Sequence, residues 1–320
     1  MTVPPHHATL ADVTDSAQLE LFEPGANPFR DRLTQRVRSW AARGVYWGGS
    51  SWKYPGWLGQ IYRPERYQVH GRFSLTRFNR ECLSEYAEVF PTVCGDFSFY
   101  GFYEPRFWQQ LFACVPASFR FGFKAPQIVT SPDVEGTQFL NAALVTERFL
   151  QRLEPYRTQV AYIVFEFPLF RQPIPRFLDR LATFLQALPT GFRYAVEIRT
   201  RELLNADYFQ LLKDSGTAHV LNSWTHMPTI GEQLELPGVF PTNFTVVRAL
   251  LRPGRTYDQA VKLFQPYREL RDPWPEGFRD IANVIRRRPG EVFVAVNNRF
   301  AGNTPLAIDA ILDELELTKD

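Results

Sequence analysis

Eight short apolar segments, most of them followed by a helix-like stretch, constrain the fold of this chain more than any other feature of its sequence. Their β-branched and aromatic content is typical of strands, and they are VYWGGSS (45–51), TVCGDFSF (92–99), FRFGFKA (119–125), VAYIVFEF (160–167), FRYAVEI (192–198), TAHVLNS (217–223), FTVVRAL (244–250) and EVFVAVN (291–297). Eight strands that alternate with helices over roughly 250 to 280 residues predict a single TIM-type (β/α)8 barrel of the α/β class. A doubly wound sheet is the alternative, but such sheets more often carry a glycine-rich phosphate turn after the first strand, and GGSSWKYPG does not match that turn.

The stretches between these segments show helical periodicity. The clearest is IPRFLDRLATFLQALP, in which Leu178, Leu181, Leu185 and Leu188 recur at helical spacing. The other predicted helices are 29–43, 76–89, 105–114, 137–154, 205–214, 278–288 and 304–316. Residues 1–28 mix Pro, His, Thr, Asp and Gly without periodicity, so we expect a flexible tail, 1–28, ahead of one barrel domain, 29–320.

Composition narrows the classes of protein to which the chain can belong. The net charge is only +2, which does not favour broad binding to nucleic acid or to a membrane surface. Three cysteines form no CxxC pair, and an odd, low number suits a reducing compartment. The longest apolar run, Val160 to Phe165, is too short to cross a bilayer. We therefore expect a cytoplasmic protein with no membrane partner; the sequence predicts no oligomeric state.

Polar side chains follow nearly every predicted strand. In parallel barrels the carboxyl ends of the strands meet at one face, where the active sites of this fold lie. Period-two alternation predicts that Cys94, Asp96, Ser98 and Tyr100 share the inner face of the second strand. The same parity, or position at a strand end, brings further residues to this face: Lys53, Lys124, Glu166, Glu197, Arg199, Arg248, Asn297 and Asn298.

Buried charges without partners are costly, so these side chains must be paired either with a ligand or with one another. Both interpretations stay open. In the first, Lys53, Lys124, Arg199 and Arg248, with Asn297 and Asn298, bind an anion, and Asp96, Glu166 or Glu197 transfers a proton. In the second, the carboxylates only neutralise the cations. The aromatic stretch WGGSSWKYPGW lies in the first loop at the barrel mouth, where Trp52, Tyr54, Trp57 and also Tyr100 either stack on a ligand or close the barrel.

The sequence predicts neither a metal site nor a cofactor. Metal-dependent barrel enzymes need many His, Asp and Glu ligands at the strand ends, and here only Asp96, Glu166, Glu197 and, less directly, His226 qualify. Cys94 has no evident inward histidine partner, so a buried inert thiol is favoured over a nucleophile.

Four motifs carry a resemblance to a known family. GGSSWKYPGWLGQIYRPE is similar to an opening Gly-Thr-Ser-x-Trp-x-Tyr-x-x-Trp followed by Phe-Tyr-Pro, and FRFGFKAP to a third-strand Phe-x-Phe-x-x-Lys-x-Pro. AVEIR is similar to Val-Glu-Phe-Arg, and VNNRFAGNTPLAIDAI to an Asn-Asn pair followed by Gly, Pro and a helix. From about Val45 to about Leu312 the chain thus resembles the domain of unknown function 72 (YecE-like) family. The resemblance implies a TIM-type barrel and supplies no activity.

The chain departs from that family's pattern at the predicted site. Cys94 and Asp96 stand where the family usually carries Glu and Asn, and Glu166 stands where it often carries Gln. Thr200 and Arg201 replace a His-Pro pair, and ALLRPG replaces the His-Gly that follows the seventh-strand arginine. These departures indicate a divergent branch.

The residues and the resemblance together predict a TIM-type barrel enzyme, a hydrolase, isomerase or lyase, that acts on a small anionic substrate such as a phosphorylated molecule. One alternative is a nucleic-acid-binding or repair-related protein that recognises an exposed nucleotide through the same aromatic residues and the arginine-rich segment 30–43. The other is a barrel that binds a ligand without catalysis.

Overall fold

The computed structural model describes residues 27–132 and 138–317, and its central feature is a closed eight-stranded parallel barrel. The strands lie in the order β1, β10, β9, β8, β7, β6, β5 and β4, and β4 pairs with β1 to close the barrel. The barrel strands are β1 Val45–Gly49, β4 Thr92–Gly95, β5 Arg120–Lys124, β6 Val160–Phe167, β7 Tyr194–Ile198, β8 Ala218–Ser223, β9 Phe244–Ala249 and β10 Glu291–Val296. A small antiparallel hairpin outside the barrel joins β2 Gln68–Val69 to β3 Arg72–Phe73. The prediction of a (β/α)8 barrel is confirmed.

Helices follow or precede most strands. They are α1 Pro28–Ala41, α2 Leu75–Val89, α3 Pro105–Ala113, α4 Ala142–Val145, α5 Gln151–Leu153, α6 Phe177–Gln186, α7 Ala206–Asp214, α8 Ile230–Leu234, α9 Tyr257–Phe264, α10 Pro275–Arg287, α11 Asn298–Ala301 and α12 Thr304–Glu316. The helix predicted over 137–154 is divided, since a π-helical turn, Thr146–Leu150, separates α4 from α5. In the described part of the chain, no helix is long and apolar enough to cross a membrane.

The predicted tail 1–28 lies almost wholly outside the described residues. Its last two residues belong to the folded part, because Asn27 caps α1 and Pro28 is the first residue of that helix. Arginines of α1 are held by ion pairs to other helices: Arg30 binds Glu88 of α2, and Arg32 binds Asp309 of α12. The basic face of this helix is therefore used to attach it to the barrel.

The second barrel strand is shorter than predicted. The segment TVCGDFSF was expected to be extended over 92–99, but β4 ends at Gly95 and a 3-10 helix covers Asp96–Tyr100. The Ser98 hydroxyl donates to the carbonyl oxygens of Gly95 and Lys124, which stabilises this turn. The predicted shared face of Cys94, Asp96, Ser98 and Tyr100 is therefore wrong beyond Cys94.

Alternation along the strands separates two apolar layers. The larger layer lies between strands and helices and contains Phe121 and Phe123. The smaller fills the barrel interior with side chains such as Cys94, Tyr162 and Phe293. Packing is close, because a Cβ atom on Gly122 would lie 2.2 Å from the Tyr162 ring. The barrel is thus a filled core with its chemistry confined to one end.

The pairing of β1 with β4, the seam that closes the barrel, predicts the effect of a substitution on the free energy of unfolding. A Cβ atom at Gly48 would lie 1.9 Å from the carbonyl oxygen of Thr92, its partner across the seam. Gly48→Ala must therefore push the two strands apart, and we expect it to lower the free energy of unfolding by about 3 kcal/mol, as overpacking does. Urea unfolding measures the loss. Gly101→Ala is the control, since its Cβ would meet nothing within 4 Å; an equal loss in both variants would contradict the closed seam.

Candidate functional site

Six charged side chains form one ion-pair network at the carboxyl end of the barrel. Three are cations and three are carboxylates, so the network is balanced when all are ionised. Four lie on strands β5, β6, β7 and β9, and the other two directly follow β4 and β7; the six are Asp96, Lys124, Glu166, Glu197, Arg199 and Arg248. Strand parity, or position at a strand end, predicted all six at this face.

Arg248 of β9 joins the three carboxylates. Its Nη1 lies 2.8 Å from Glu166 Oε2 and also donates to Glu197, and its Nη2 lies 2.8 Å from Asp96 Oδ1. The side chain is only 1% exposed. Burial alone would lower the pKa of Arg248, but the carboxylates of Glu197 and Asp96 outweigh burial and raise this pKa. The guanidinium is therefore permanently charged and held in one orientation.

Glu166 of β6 binds all three cations of the network. Its Oε2 lies 2.7 Å from Lys124 Nζ and 2.8 Å from Arg199 Nη2, in addition to its contact with Arg248. Burial would raise the pKa of Glu166, but Arg199, Lys124 and Arg248 hold it well below its usual range. Glu166 is thus ionised at any ordinary pH and unsuited to donate a proton. Glu197, fully buried, accepts from Arg199 Nε at 3.0 Å.

Aromatic rings cover the two outer cations. Lys124 Nζ lies 3.5 Å from the centroid of the Phe99 ring, and the Arg199 guanidinium carbon lies 3.7 Å from the Trp224 centroid. Such cation–π contacts strengthen when water is excluded. Both rings belong to loops that follow strands, so the loops shield the network from solvent.

Asp96 differs from the other two carboxylates because it reaches solvent. Its side chain is 28% exposed, whereas Glu166 and Glu197 are 5% and 0% exposed. Desolvation raises the pKa of Asp96, and the opposing effect of Arg248 does not cancel the increase. Asp96 is therefore the carboxyl group of the network best suited to exchange a proton with a ligand.

A further cation, Arg299, lies at the barrel mouth. It directly follows Asn298 and stacks on Tyr257, with its guanidinium carbon 4.4 Å from the ring centroid. Burial raises the pKa of Tyr54, a residue of the first loop, to about 12, an increase that Arg299 opposes and Asp96 reinforces. Within residues 27–132 and 138–317, no carboxylate forms an ion pair with Arg299.

Sequence reasoning missed several residues of this mouth. Arg299 stands one position beyond the Asn-Asn pair, so its place at a strand end could have identified it. Phe99 lies on a 3-10 turn where the sequence predicted an extended strand, Trp224 lies in a loop, and Tyr257 is the first residue of α9. Tyr100, which was predicted, is 79% exposed on the rim.

Two predicted amides have structural partners. Asn297 Nδ2 donates to Ser50 Oγ at 2.5 Å, and its Oδ1 accepts from the Arg299 backbone at the start of α11. Asn298 Oδ1 accepts from Trp57 Nε1 at 3.1 Å and from the backbone of Thr304 at 2.8 Å. Both amides are buried, so the structure gives them roles in holding the last loop.

The aromatic side chains of the first loop, in the stretch WGGSSWKYPGW, are mostly buried rather than exposed at the barrel mouth. Trp57, expected to wall the mouth, is completely buried in the outer core, and Trp52 is 6% exposed. Tyr54 is half-buried against Trp57 and Tyr267. Lys53 is exposed, forms no ion pair with the network within the described residues, and lines a cleft beside it.

The described residues include no group of three His, Cys, Asp or Glu side chains that could hold a metal ion. The three carboxylates of the network are already bound to cations. Burial raises the pKa of the Cys94 thiol to about 12, which keeps this inward cysteine protonated and unreactive.

Because Glu166 binds three cations at once, we expect its loss to destabilise the protein more than the loss of one of those cations. Glu166→Gln leaves three cations to share two carboxylates, and Lys124 loses the one carboxylate that it contacts among the described residues. We expect a loss of about 4 kcal/mol in the free energy of unfolding, as for a broken buried ion pair. Lys124→Met should cost less, about 2 kcal/mol, because Glu166 keeps both arginines.

Urea unfolding of both variants measures this order. The control is Asp179→Asn, which removes an ion pair with Arg176 that is exposed on both sides and should cost under about 1 kcal/mol. Equal losses in the two network variants would show that Glu166 is not the shared acceptor.

The raised pKa of Asp96 predicts a pH dependence. A carboxyl group with a higher pKa in the folded than in the unfolded chain binds protons more tightly when folded, so its contribution to stability falls as pH rises from about 3.9 through the folded pKa. The stability of the wild type relative to Asp96→Asn should therefore decrease over that interval. Unfolding measured at several pH values tests the sign; an increase would mean that the pKa is depressed.

Comparisons with known proteins agree with this fold. The family described as protein of unknown function DUF72 matches residues 46–320. A crystal structure of a DUF72 family protein from Enterococcus faecalis is 17% identical, with a TM-score of 0.62, and covers 86% of this chain and 97% of its own. One from Thermotoga maritima is 19% identical, with a TM-score of 0.61, and covers 86% of this chain and 99% of its own. Among curated proteins, none matches this chain. At these identities the two structures establish the fold alone.

Proposed function

Because the chain belongs to the DUF72 family, whose description states no activity, we propose from the geometry of the site that it is an enzyme that binds a small anionic substrate at the carboxyl end of the barrel. Arg299 holds the anion, and Asp96 exchanges a proton with the bound molecule. Phosphate and carboxylate are the anions that suit a guanidinium, which can bind them through two parallel N–H donors.

The observation that carries this proposal is Arg299, a cation at the same end of the barrel as the balanced network. The three carboxylates of the network already face three cations. Arg299 adds a positive charge at the mouth that no carboxylate pairs with in the described part of the chain. A partly enclosed site with surplus positive charge attracts anions, and low-dielectric walls strengthen the attraction.

Asp96 supports the catalytic part of the proposal. One of its oxygens is held by Arg248, it is the most exposed carboxylate of the network, and its pKa is raised. Glu166 and Glu197 have the complementary task of keeping the two arginines in place. Hydrolases, isomerases and lyases all use a single acid or base of this kind, so the reaction type within these three classes stays open.

The setting of the reaction belongs to the same proposal. All three cysteines are free thiols, which supports function in a reducing compartment such as the cytoplasm. The nucleic-acid alternative relied on the segment 30–43, but Arg30, Arg32 and Arg36 are engaged with carboxylates of the barrel helices. A small ligand is therefore the favoured partner.

Inorganic phosphate is the probe for the anion site. It should raise the melting temperature of the wild type by about 3 °C at ten times its dissociation constant, through preferential binding to the folded state. Arg299→Gln should lose most of this increase while its melting temperature without phosphate stays near that of the wild type, because the side chain makes no ion pair within the described residues. Differential scanning calorimetry measures both effects.

Phosphate also stabilises proteins without binding them, by exclusion from their surfaces. Arg279→Gln, at an exposed position of α10, is the matched control and should respond as the wild type does. Equal stabilisation of the wild type, Arg299→Gln and Arg279→Gln by phosphate would contradict the anion site. Asp96→Asn should keep the phosphate response and lose turnover of phosphate esters by about a hundredfold; phosphate binding without any such turnover in the wild type would favour the non-catalytic barrel.

A further inference from the structure

A large cleft lies between α2 and α3, directly beside the ion-pair network. Its volume is about 780 Å³, within the range of small-molecule sites. Helix α2 contributes Asn79, Arg80 and Leu83, and helix α3 contributes Gln110 and Leu111. Asp96 lies where the cleft meets the network, so the two regions share a residue.

Aromatic rings form one continuous wall of this cleft. Phe97 packs edge-on against Trp52 and Tyr103, with ring centroids 5.9 and 5.3 Å apart, and Tyr103 stacks on Phe107 at 4.3 Å. Phe97, Tyr103 and Phe107 remain partly exposed although they contact one another. Mutual packing fixes these rings, so the wall is a preformed apolar surface, and displacing water from it favours a ligand with a flat apolar face.

The cleft also carries one cation that is not neutralised. Lys53 is exposed, its Nζ lies 5.9 Å from the centroid of the Trp52 ring, and no carboxylate of the described chain pairs with it. The other cation of the cleft, Arg80, is bound to Glu81. The positive charge available to a ligand therefore lies beside the aromatic wall.

We propose that this cleft binds a planar aromatic anion, with its ring against the wall of Trp52, Phe97, Tyr103 and Phe107 and its charge at Lys53. The inference rests on the proposed function in one respect: the ring is part of the substrate whose reacting group reaches Asp96. The binding of an aromatic anion in the cleft itself requires neither Arg299 nor catalysis.

Cys114 provides a reporter for the cleft. Its thiol is exposed and lines the cleft, whereas Cys82 and Cys94 are buried. Alkylation of the full chain by iodoacetamide, followed by mass spectrometry, therefore measures access to one site. The probe 2-naphthalenesulfonate should slow alkylation of Cys114 at least fivefold at saturation. The non-planar anion cyclohexanesulfonate should not slow it at the same concentration.

Three variants separate the parts of the proposal. Asn79→Trp fills the cleft from an exposed position of α2 and should abolish the protection by 2-naphthalenesulfonate. Gln109→Trp, exposed on α3 but outside the cleft lining, is the matched control and should keep it. Lys53→Met should weaken 2-naphthalenesulfonate about tenfold and leave neutral 2-naphthol unchanged.

Absence of protection in the wild type, or equal protection in Asn79→Trp and Gln109→Trp, would overturn the cleft site. The assignment of the cleft to an aromatic anion would be wrong if 2-naphthalenesulfonate, cyclohexanesulfonate and 2-naphthol protected Cys114 equally and Lys53→Met left that protection unchanged. The phosphate response of Arg299→Gln is measured on the same proteins. If that response is as predicted and the cleft stays empty, this inference fails alone; if the cleft binds and phosphate does not, the proposed function fails alone.

Discussion

The buried guanidinium of Arg248 is the interaction on which the rest of the site depends. A charged group that is 1% exposed is stable only with paired carboxylates around it. The barrel supplies Glu166 and Glu197 from two adjacent strands, β6 and β7, and Asp96 from the turn after β4. Three carboxylates around one guanidinium need further positive charge, which Lys124 and Arg199 supply. The residue at each of these strand ends therefore depends on the charges at the others.

The environment of the network explains why the pKa values of its carboxyl groups shift in different directions. Below it, the interior is apolar, and above it Phe99 and Trp224 cover Lys124 and Arg199. In such a low-dielectric layer, the number of neighbouring cations decides each pKa. A carboxylate with three cations stays ionised, as Glu166 does. Asp96 has only one direct cationic partner, so desolvation outweighs that partner and raises its pKa.

Period-two parity predicted the regular part of this site, because strands hold their side chains on alternate faces. Lys124 and Glu197 were assigned to the barrel axis on this ground, and both lie in the network. Asp96 was the right residue for an incorrect reason, since it leaves β4 on a 3-10 turn. Arg299 was missed and Asn298 was given a binding role although it is buried, because loop side chains follow local hydrogen bonds that no periodicity reveals. The fold could thus be predicted almost completely, and the mouth only in part.

The departures from the family pattern acquire a physical meaning in this network. Where the resembled pattern usually has Glu and Asn, this chain has Cys94 and Asp96, so its carboxylate lies on the more exposed turn and a thiol occupies the inward face of the strand. Glu166, in place of Gln, adds a carboxylate and completes the balance of three against three. A site that neutralises its own centre has little charge left there for a ligand. Arg299 is the cation at the mouth without a carboxylate partner in the described part of the chain, so the proposed anion site lies at the mouth of the barrel rather than within the network.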